Sequence, residues 1–350
     1  MTRELVIGKH HIHDESNCYV IAEIGHNHQG SVDTAKEMIK VAKECGAHAI
    51  KFQKRDNKAL YTKALFEKSY DNEFSYGATY GQHREALELS PDQYKDLIHF
   101  AHEIDIDFIA TAFDFPSADL LNGLNVTAFK AASGDAKSIP LLKHIASFGK
   151  PFVISTGGCQ IEDVHRIYDS LKPLNTRLSI LQCTAAYPSD YMHLDLNVIQ
   201  TYRKLFPDTV IGLSDHTNGI SMGPAAYVLG ARIMEKHFTL NRALKGTDHG
   251  YSLEPVGLKK LVRDLNRTRI ALGSATKRTH ECEKSPITKM SKKMVARHDL
   301  PKGYILKEED IEFKSPGDGL HPHELERVIG KKLIHDLEED DDILFEALEN

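Results

Sequence analysis

The sequence predicts an α/β protein in which a closed (β/α)8 TIM barrel is followed by a small β-rich domain. Eight short, β-rich apolar runs recur between residues 19 and 239. Amphipathic stretches with apolar residues three and four positions apart separate most of these runs, which is the pattern of alternating strands and helices. No GxGxxG follows the first run, so a closed barrel is favoured over an open doubly wound sheet.

The predicted elements follow one another in a simple order. The strands are YVIAEIG from Tyr19, AIKFQ from Ala49, FIATAF from Phe108, AFKAAS from Ala128, PFVIST from Pro151, LSILQCT from Leu178, VIGLSD from Val210 and IMEKHFT from Ile233. Predicted helices between them include VDTAKEMIKVAKECG, PDQYKDLIHFAHEI, SIPLLKHIASFG and NVIQTYRKLF. The polar interruption between Gln53 and Ser90 is too long for a plain connector, and we expect a functional loop over the barrel mouth.

The pattern changes after the helix that ends near Leu272. The segment GSATKRTHECEKSPITKMSKK is basic and polar without an apolar period, and we interpret it as a linker. From about Met290, short strand-like pieces alternate with Gly-containing turns, which predicts a small β-rich domain. The predicted domains are a barrel over residues 1–275, a linker over 276–289 and a C-terminal domain over 290–350.

Composition and charge exclude several classes of protein. Of 350 residues, 41% are hydrophobic and 27% are charged, as in folded globular chains, which excludes disordered and fibrous classes. With 44 basic and 50 acidic side chains the net charge is −6, so no global attraction to nucleic acid or anionic membranes is expected. No apolar run approaches the length of a membrane span, no secretory signal is apparent, and the five cysteines are scattered singly. We therefore expect a cytoplasmic protein with reduced thiols.

Polar side chains lie at the C-terminal ends of the predicted strands, where the active site of a (β/α)8 barrel forms. Lys51 and Lys130 fall within apolar strands, where an unpaired ammonium would be costly to bury. With the hydroxyls of Ser133 and Ser155 and the backbone N–H groups of the Gly-Gly turn at 157–158, they predict a phosphate site. Two alternatives are that each lysine pairs with a local carboxylate, or that Lys130 forms a Schiff base as in a barrel aldolase.

Two histidines end adjacent predicted strands. His216 follows strand seven and His237 ends strand eight, so both imidazoles are expected to converge on one divalent cation. Alternation along the strand places Glu235 on the same face as His237, as a third ligand or as an orienting group. In the following segment, NRALKGTDHGYSLEP, Asp248 and His249 either reach the same mouth or belong to a plain loop.

The strand ends together resemble one family. The motifs are, in order, IAEIGHNHQGSVDTAKEMIKVAKECGA, KFQ, FKAASGD, VISTGG, LQCTAAYP, IGLSDHT, EKHFTL and KGTDHGYSLEP. This ordered set resembles the sialic acid synthase (N-acetylneuraminate synthase) family. The tail MVARHDLPKGYILKEEDIEFKSPGDG resembles that family's antifreeze-like (SAF) domain, a β-clip fold. The resemblance covers the chain from about Tyr19 to its C-terminus.

The resemblance implies an architecture and a reaction. It implies a barrel joined to the antifreeze-like domain, in a domain-swapped homodimer where the small domain caps the partner's site. The implied reaction condenses phosphoenolpyruvate with N-acetylmannosamine or its 6-phosphate, in the presence of Mn²⁺ or Mg²⁺. The products would be a nine-carbon 2-keto sugar acid and phosphate.

The resemblance also implies roles for individual residues. Around phosphoenolpyruvate it places Lys51, Thr111, Lys130, Ser133, Ser155 and Ser214. As metal ligands it implies His216 and His237. Around the sugar and the attacking water it places Glu23, Gln53, Asp135, Tyr187 and Asp248. The catalytic residues would be Glu23, Lys51, Lys130 and Asp248, with Glu23 orienting or deprotonating the water.

Some positions depart from the family's pattern. After the CT of strand six this chain has Ala185, where bacterial members tend to carry Asn. It also has Ser-Pro-Gly at 315–317 where they carry an RPG turn, and Lys314 is a candidate substitute for that sugar-contacting arginine. The loop SYGATYGQHREALELS looks more like the animal-type enzymes that accept a 6-phosphorylated sugar. Candidates to bind that second phosphate are Arg84, His83 and Lys245.

Two other functions compete with this one. The same chemistry on another acceptor, such as a legionaminic or pseudaminic acid precursor or mannose 6-phosphate, is poorly separated by sequence. A non-catalytic carbohydrate- or ice-binding protein is suggested by the antifreeze-like tail. That tail is highly charged, however, and a non-catalytic barrel would not need two buried lysines and two strand-end histidines together.

Overall fold

The computed structural model describes residues 3–349, and the chain divides after Gly273 into two compact units. Strands of the first unit are Glu4–Ile7 (β1), His10–His13 (β2), Tyr19–Gly25 (β3), Ala49–Lys54 (β4), Asp107–Ala112 (β5), Ala128–Ala131 (β6), Phe152–Ser155 (β7), Leu178–Cys183 (β8), Val210–Asp215 (β9) and Ile233–His237 (β10). Strands β3 to β10 are parallel, each pairs with the next, and β10 pairs with β3 to close the barrel. The predicted (β/α)8 barrel is therefore confirmed.

Helices of the first unit surround the barrel. They are Val32–Glu44 (α1), Asn57–Leu60 (α2), Lys63–Phe66 (α3), Tyr80–Ala86 (α4), Pro91–Glu103 (α5), Phe115–Gly123 (α6), Ile139–Ala146 (α7), Ile161–Leu171 (α8), Val198–Leu205 (α9), Met222–Val228 (α10) and Pro255–Leu272 (α11). The predicted loop between Gln53 and Ser90 contains three short helices, α2 to α4. Asp56, Thr62 and Thr79 start them by accepting backbone N–H groups, a capping role that is hard to separate from ordinary turn chemistry in sequence.

Two apolar layers position the barrel mouth. Outward-facing strand residues such as Phe52 and Phe108, whose rings stack at 5.1 Å, pack under the helices. Inside the barrel, the hairpin β1–β2 contributes Leu5, Ile7 and Ile12 to an apolar cluster with the first residues of the barrel strands. This hairpin was not predicted, because two four-residue strands show too little alternation to be distinguished from a loop. This apolar cluster occupies the N-terminal ends of the strands, so the polar groups inside the barrel are confined to the C-terminal ends.

The second unit has its own small core. Its elements are Glu281–Met290 (α12), Lys293–Ala296 (β11), Ile311–Lys314 (β12) and Leu325–Val328 (α13). Strands β11 and β12 pair antiparallel, and Met294, Leu306 and Ile343 lie in the apolar cluster. The segment 276–289, which we predicted to be a linker, instead contains most of α12. This helix buries none of its residues, so its sequence lacks the apolar period that identifies most helices. Glu283 caps its N-terminus by accepting the backbone N–H of His280.

No helix within residues 3–349 is both long and apolar enough to cross a membrane.

Candidate active site

Buried polar side chains at the C-terminal ends of the strands form the floor of the barrel mouth: Glu23, Lys51, Thr111, Lys130, Ser155 and Glu235. Two of them are lysines, and the first is Lys51 on β4. Its Nζ lies 2.9 Å from Oε2 of Glu23 on β3. The same ammonium donates a hydrogen bond to Thr111 Oγ1 on β5 at 2.8 Å. All three residues are at most 3% exposed. Residues that the sequence placed on three different strands are thus joined by direct contacts.

The second lysine is Lys130 on β6, which donates to Ser155 Oγ on β7 at 2.6 Å. Glu235 on β10 connects it to the first lysine, because Glu235 Oε1 lies 3.7 Å from Lys130 Nζ and 3.8 Å from Lys51 Nζ. Ser214 Oγ donates to the same oxygen at 3.2 Å. The carboxylate pairing that sequence left as an alternative is therefore observed. Two lysines and two ionised carboxylates sum to no net charge, so an anion on this floor would be held by directional contacts with the ammonium N–H groups and not by surplus positive charge.

The two carboxyl groups on this floor differ in their proton affinity. Burial raises the pKa of Glu23 above its ordinary value, although Lys51 opposes the shift. Burial also disfavours the ionised form of Glu235, but Lys130 and Lys51 outweigh it and lower the Glu235 pKa. Glu235 is therefore the carboxylate that stays ionised between the lysines, and Glu23 is the one that takes up a proton more readily.

The two predicted metal ligands lie side by side. The ring centroids of His216 and His237 are 5.4 Å apart, and both residues are about one-twentieth exposed. His216 Nδ1 lies 2.9 Å from the carbonyl oxygen of Thr184, a contact that leaves Nε2 for a ligand. His237 Nδ1 is buried and has no hydrogen-bond partner among residues 3–349. Two imidazoles with free ring nitrogens fit a divalent ion that also holds substrate oxygens.

Carboxylate side chains supply few further ligands beside His216 and His237. Within residues 3–349 no group of three or more His, Cys, Asp or Glu side chains is arranged to hold a metal ion. Glu235, considered above as a third ligand, contacts the lysines and Ser214. The Asp248 carboxylate lies 3.8 Å from His237 Nδ1. A metal ion bound here would thus have two histidine donors from the described residues, with its remaining positions open to oxygen ligands.

Gly25 marks the point where three predicted residues converge. It has a φ of +53°, and a Cβ built on it would lie 3.3 Å from Glu23 Oε1, Gln53 Nε2 and Asp248 Oδ2. Gln53 donates to Glu23 Oε1 at 2.5 Å. A glycine here both adopts the left-handed conformation without strain and leaves room between the three polar groups.

A cavity of about 530 Å³ opens above this floor. Its lining includes His26, Gln53, Arg55, Arg84, Phe113, Ser133, Tyr187, His237, Asp248 and Tyr251. The ring of Tyr187 lies 4.3 Å from that of His216, and the ring of Tyr251 lies 5.0 Å from that of His237. Aromatic walls beside polar groups are typical of sugar sites as well as of other small-molecule pockets. Tyr251 was missed in the sequence, where it follows His249 without any pattern of its own.

Asp135 carries a strongly perturbed carboxyl group. It lies in the 3₁₀ turn Ser133–Asp135 that follows β6, and its Oδ2 is buried without a hydrogen-bond partner within the described residues. Burial raises its pKa to about 6, although Arg55 opposes the shift. A carboxylate held without full solvation or partners is a cost to the fold that suits a binding or catalytic group.

We expect Asp135→Asn to stabilise the fold at pH 7 by about 1–2 kcal/mol, after allowance for partial exposure of the carboxyl. The folded-state pKa of about 6 lies above the unfolded value of 3.8, so the wild type loses stability as pH rises through this window. The gain should vanish near pH 4. Urea unfolding at both pH values measures it, with the exposed Asp71→Asn as control. An equal gain at both pH values would contradict the assignment.

Arg55 is the main residue that sequence reasoning missed. Its guanidinium is stacked 3.7 Å from the ring of Phe113 and donates to Gln53 Oε1 at 2.7 Å. Arg55 and Arg84 approach the two ring nitrogens of His26 at 2.9 and 3.2 Å. Burial, together with both guanidinium charges, lowers the pKa of His26 well below its ordinary value.

This arrangement leaves both guanidinium groups without a carboxylate in direct contact among residues 3–349. A neutral imidazole accepts only one hydrogen bond, so His26 cannot satisfy both Arg55 and Arg84. Among residues 3–349 neither guanidinium lies within 4.0 Å of a carboxylate oxygen. Two guanidinium groups that line a cavity and lack a carboxylate partner are suited to bind a phosphate or carboxylate group of a ligand.

The other candidates for a second phosphate are placed differently. Lys245 is exposed, with its Nζ 4.8 Å above the ring of Tyr76, and it lines a small neighbouring cavity together with Arg84. His83 is buried, its Nδ1 accepts the backbone N–H of Tyr76, and burial lowers its pKa to about 4. It is therefore neutral at pH 7 and is unsuited to carry positive charge.

Two further predicted residues have partners of their own. Ser133 Oγ accepts the backbone N–H of Gly157 at 3.0 Å and donates to Cys183 Sγ at 3.3 Å. Lys314 belongs to the second unit, where its ammonium contacts Glu312 at 3.0 Å and also Asp340. Its role with the sugar stays a prediction.

Comparisons with known proteins identify both units. The NeuB family model matches residues 38–277, and the SAF domain model matches residues 294–349. N-acetylneuraminate-9-phosphate synthase of Homo sapiens is 42% identical over 334 residues, covering 95% of this chain and 93% of that protein. N,N'-diacetyllegionaminic acid synthase of Legionella pneumophila is 35% identical over 338 residues, covering 95% of each.

A solved structure agrees with these matches. The N-acetylneuraminic acid synthetase from Leptospira borgpetersenii, in complex with citrate, superposes with a TM-score of 0.71 at 29% identity. The match covers 82% of this chain and 96% of that one. The resemblance drawn from the strand-end motifs and from the tail is confirmed, and the chain belongs to the NeuB family with a SAF domain at its C-terminal end.

Proposed function

We propose that this protein condenses phosphoenolpyruvate with an N-acylmannosamine 6-phosphate to form a nine-carbon 2-keto sugar acid phosphate. A bond forms between C3 of phosphoenolpyruvate and the aldehyde carbon of the open-chain sugar. Water adds to C2, and the C2–O bond to phosphate breaks as the water oxygen becomes the ketone. Of the two protons that the water loses, one goes to the alkoxide formed from the aldehyde and one to the departing phosphate. The observation that carries the proposal is the mouth cavity, which is lined by Arg55, Arg84 and His237. It reaches Gln53, whose amide donates to Glu23, the ion-pair partner of Lys51.

Phosphoenolpyruvate would lie against the floor. Its phosphate and carboxylate match the ammonium groups of Lys51 and Lys130, which are held by Thr111 and Ser155. Buried, pre-positioned ammonium groups stabilise charge on the leaving phosphate without having to reorganise during the reaction. Glu235 would remain between the lysines and keep both of them oriented.

His216 and His237 would hold a divalent metal ion, Mn²⁺ or Mg²⁺, which when bound acts as a Lewis acid on the sugar aldehyde. The unpartnered Nδ1 of His237 and the carbonyl contact of His216 support this donor pair. The rings of Tyr187 and Tyr251 lie beside the same two histidines.

Glu23 would position and deprotonate the water that adds to C2. Gln53 and Lys51 fix its two carboxylate oxygens, and burial raises its pKa toward the range in which a carboxylate acts as a general base. The proton it takes up can return to a departing phosphate oxygen that Lys51 also contacts.

Arg55 and Arg84 favour an acceptor sugar that carries a phosphate. Arg55 and Arg84 line the cavity on the side of the long loop and lack carboxylate partners among the residues described. The relative from Homo sapiens is named a 9-phosphate synthase, which agrees with an acceptor that already carries phosphate. An acceptor without phosphate would leave both guanidinium groups without an anion in direct contact.

The test is phosphate release from phosphoenolpyruvate with Mn²⁺ and three acceptors: N-acetylmannosamine, its 6-phosphate and mannose 6-phosphate. We expect N-acetylmannosamine 6-phosphate to give the highest kcat/KM. Arg84→Ala should lower that value by about 100-fold, or about 2.7 kcal/mol, because a charge-assisted contact to phosphate is lost. With the non-phosphorylated sugar the same variant should change kcat/KM by less than about threefold.

Two further variants complete this experiment. His216→Ala should abolish release with every acceptor, and Arg263→Ala, an exposed arginine paired with Asp264 on α11, should change none of the rates. Equal rates for the two forms of N-acetylmannosamine, or an equal loss for both in Arg84→Ala, would contradict the phosphorylated acceptor. No release with any sugar would overturn the proposed reaction.

A further inference from the structure

A buried ion pair lies immediately beside the two histidines, on the opposite face of their strands. Lys236 precedes His237 on β10, and Asp215 precedes His216 at the end of β9. Lys236 and Asp215 are partners in the parallel register of β9 and β10, and theirs is the last pair of that ladder. Because successive side chains alternate between faces, the ion pair points away from the side that carries the histidines.

The ammonium group of Lys236 is held by three acceptors. It lies 2.7 Å from Asp215 Oδ2, donates to the carbonyl oxygen of Thr217, and lies 3.4 Å from Thr217 Oγ1. Asp215 Oδ1 in turn accepts the backbone N–H of Thr217 at 2.8 Å. Lysine has three N–H donors, so this set accounts for all of them. The backbone on both sides of His216 is thereby tied to β10.

Stability alone does not explain this arrangement. Lys236 is 1% exposed and Asp215 is 3% exposed. Removing two such charges from water costs several kcal/mol per ion, and apolar residues of similar size often stabilise a fold equally well. The surrounding layer consists of such apolar residues, among them Met234 and Leu213 on the same strands. A charged pair at this position supplies directional contacts that an apolar pair lacks.

The pair lies where the ladder between β9 and β10 ends, although β10 stays paired with β3 as far as His237. Beyond Asp215 the carbonyl of His216 accepts the N–H of Ser189, and the carbonyl of His237 accepts the N–H of Leu253. The two histidine backbones are thus bonded to different loops and not to each other. At the level of the two histidines, β9 and β10 are connected by the contacts of Lys236 with Asp215 and Thr217.

We propose that Lys236, Asp215 and Thr217 form a clasp that sets the separation of His216 and His237, so that Lys236 is a positioning residue for the metal site. The inference rests on the metal pair proposed above. The clasp holds both histidine backbones in the spacing that a single ion requires, before any ion binds. Outer residues that orient ligands in this way contribute about 10- to 100-fold to metal affinity in other proteins.

The test is Mn²⁺ binding to the full chain by titration calorimetry, alongside thermal unfolding in EDTA. The double variant Asp215→Asn with Lys236→Met removes both charges together and keeps an oxygen for the N–H of Thr217. We expect it to fold and to bind Mn²⁺ at least about tenfold more weakly than the wild type. Should it fail to fold, Lys236→Arg carries the test, because it keeps the charge but its planar donors cannot reproduce the three contacts.

The matched control is Asp208→Asn with Lys172→Met, which removes a different and only partly buried ion pair, with N and O 3.0 Å apart. We expect it to alter thermal unfolding but to leave Mn²⁺ affinity unchanged. His216→Ala should abolish the binding. If the clasp variant binds Mn²⁺ within twofold of the wild type, the clasp is wrong while the histidine pair stands. If His216→Ala binds as tightly as the wild type, the histidine pair and the clasp fail together.

Discussion

Lys130→Met is expected to lower kcat/KM for phosphoenolpyruvate by about 1,000-fold, or about 4 kcal/mol. The variant removes a buried ammonium that holds Ser155 and lies 3.7 Å from Glu235. Its loss deprives the leaving phosphate of a cation and leaves the Glu235 carboxylate facing only Lys51. Two buried acidic groups then repel the incoming anion, so both binding and the chemical step suffer. Steady-state assays of phosphate release give the value directly.

Lys54→Met is the matched control for this variant. Lys54 also lies buried on a barrel strand, but its ammonium pairs with Glu88 at 2.8 Å and lies 5.7 Å from the ring of Tyr94, in the helical layer. We expect lower stability and an unchanged KM for phosphoenolpyruvate. Comparable losses in both lysine variants would mean that Lys130 acts only on the fold. Borohydride trapping of Lys130 with substrate would instead support the Schiff-base alternative.

Glu23→Gln is expected to lower kcat by about 1,000-fold while KM for phosphoenolpyruvate changes by less than about threefold. The amide keeps the size of the side chain and a hydrogen bond with Gln53, but it cannot take a proton from water. Because burial raises the pKa of Glu23, the wild-type rate should fall on the acidic side at a pH above the usual glutamate range. The Gln variant should lose this acidic limb. Rate profiles from about pH 5 to 8 measure both effects.

Glu88→Gln provides the control for this carboxylate. Burial also raises the pKa of Glu88, and its carboxylate also pairs with a lysine, but it belongs to the helical layer of the barrel. We expect a reduced free energy of unfolding and an unchanged pH profile of kcat. A profile of Glu23→Gln with an intact acidic limb would show that another group titrates, and would remove Glu23 from the role of base.

The strand-end rule explains why so much of the site was visible in the sequence. Each barrel strand carries its polar residue near its C-terminal end, and parallel closure brings all of these ends to one rim. For this reason Lys51, Thr111, Lys130 and Ser155 could be grouped without knowing any distance. The same reasoning placed His216 and His237 on adjacent strands.

Other features depended on the direction that a side chain takes after its strand ends. Arg55 stands one residue beyond β4, where alternation no longer predicts a face, and only the stacking on Phe113 turns it into the cavity. The helix over Glu281–Met290 was assigned to a linker because an exposed helix has no apolar period. Neither feature has a signal within a short window of sequence.

The sequence by itself determined the barrel, its eight strands and the set of polar groups at their ends, because these follow from local periodicity and from the parallel closure it imposes. Only the tertiary structure decided which of those groups form ion pairs with one another. Glu235 lies within ion-pair distance of both lysines because β10 closes onto β3, a pairing of residues more than 200 positions apart. The raised pKa of Glu23, the position of His26 between two guanidinium groups and the contacts of Lys236 likewise depend on distances of a few ångström between distant segments. Coulomb and desolvation energies vary steeply over such distances, and no local pattern encodes them.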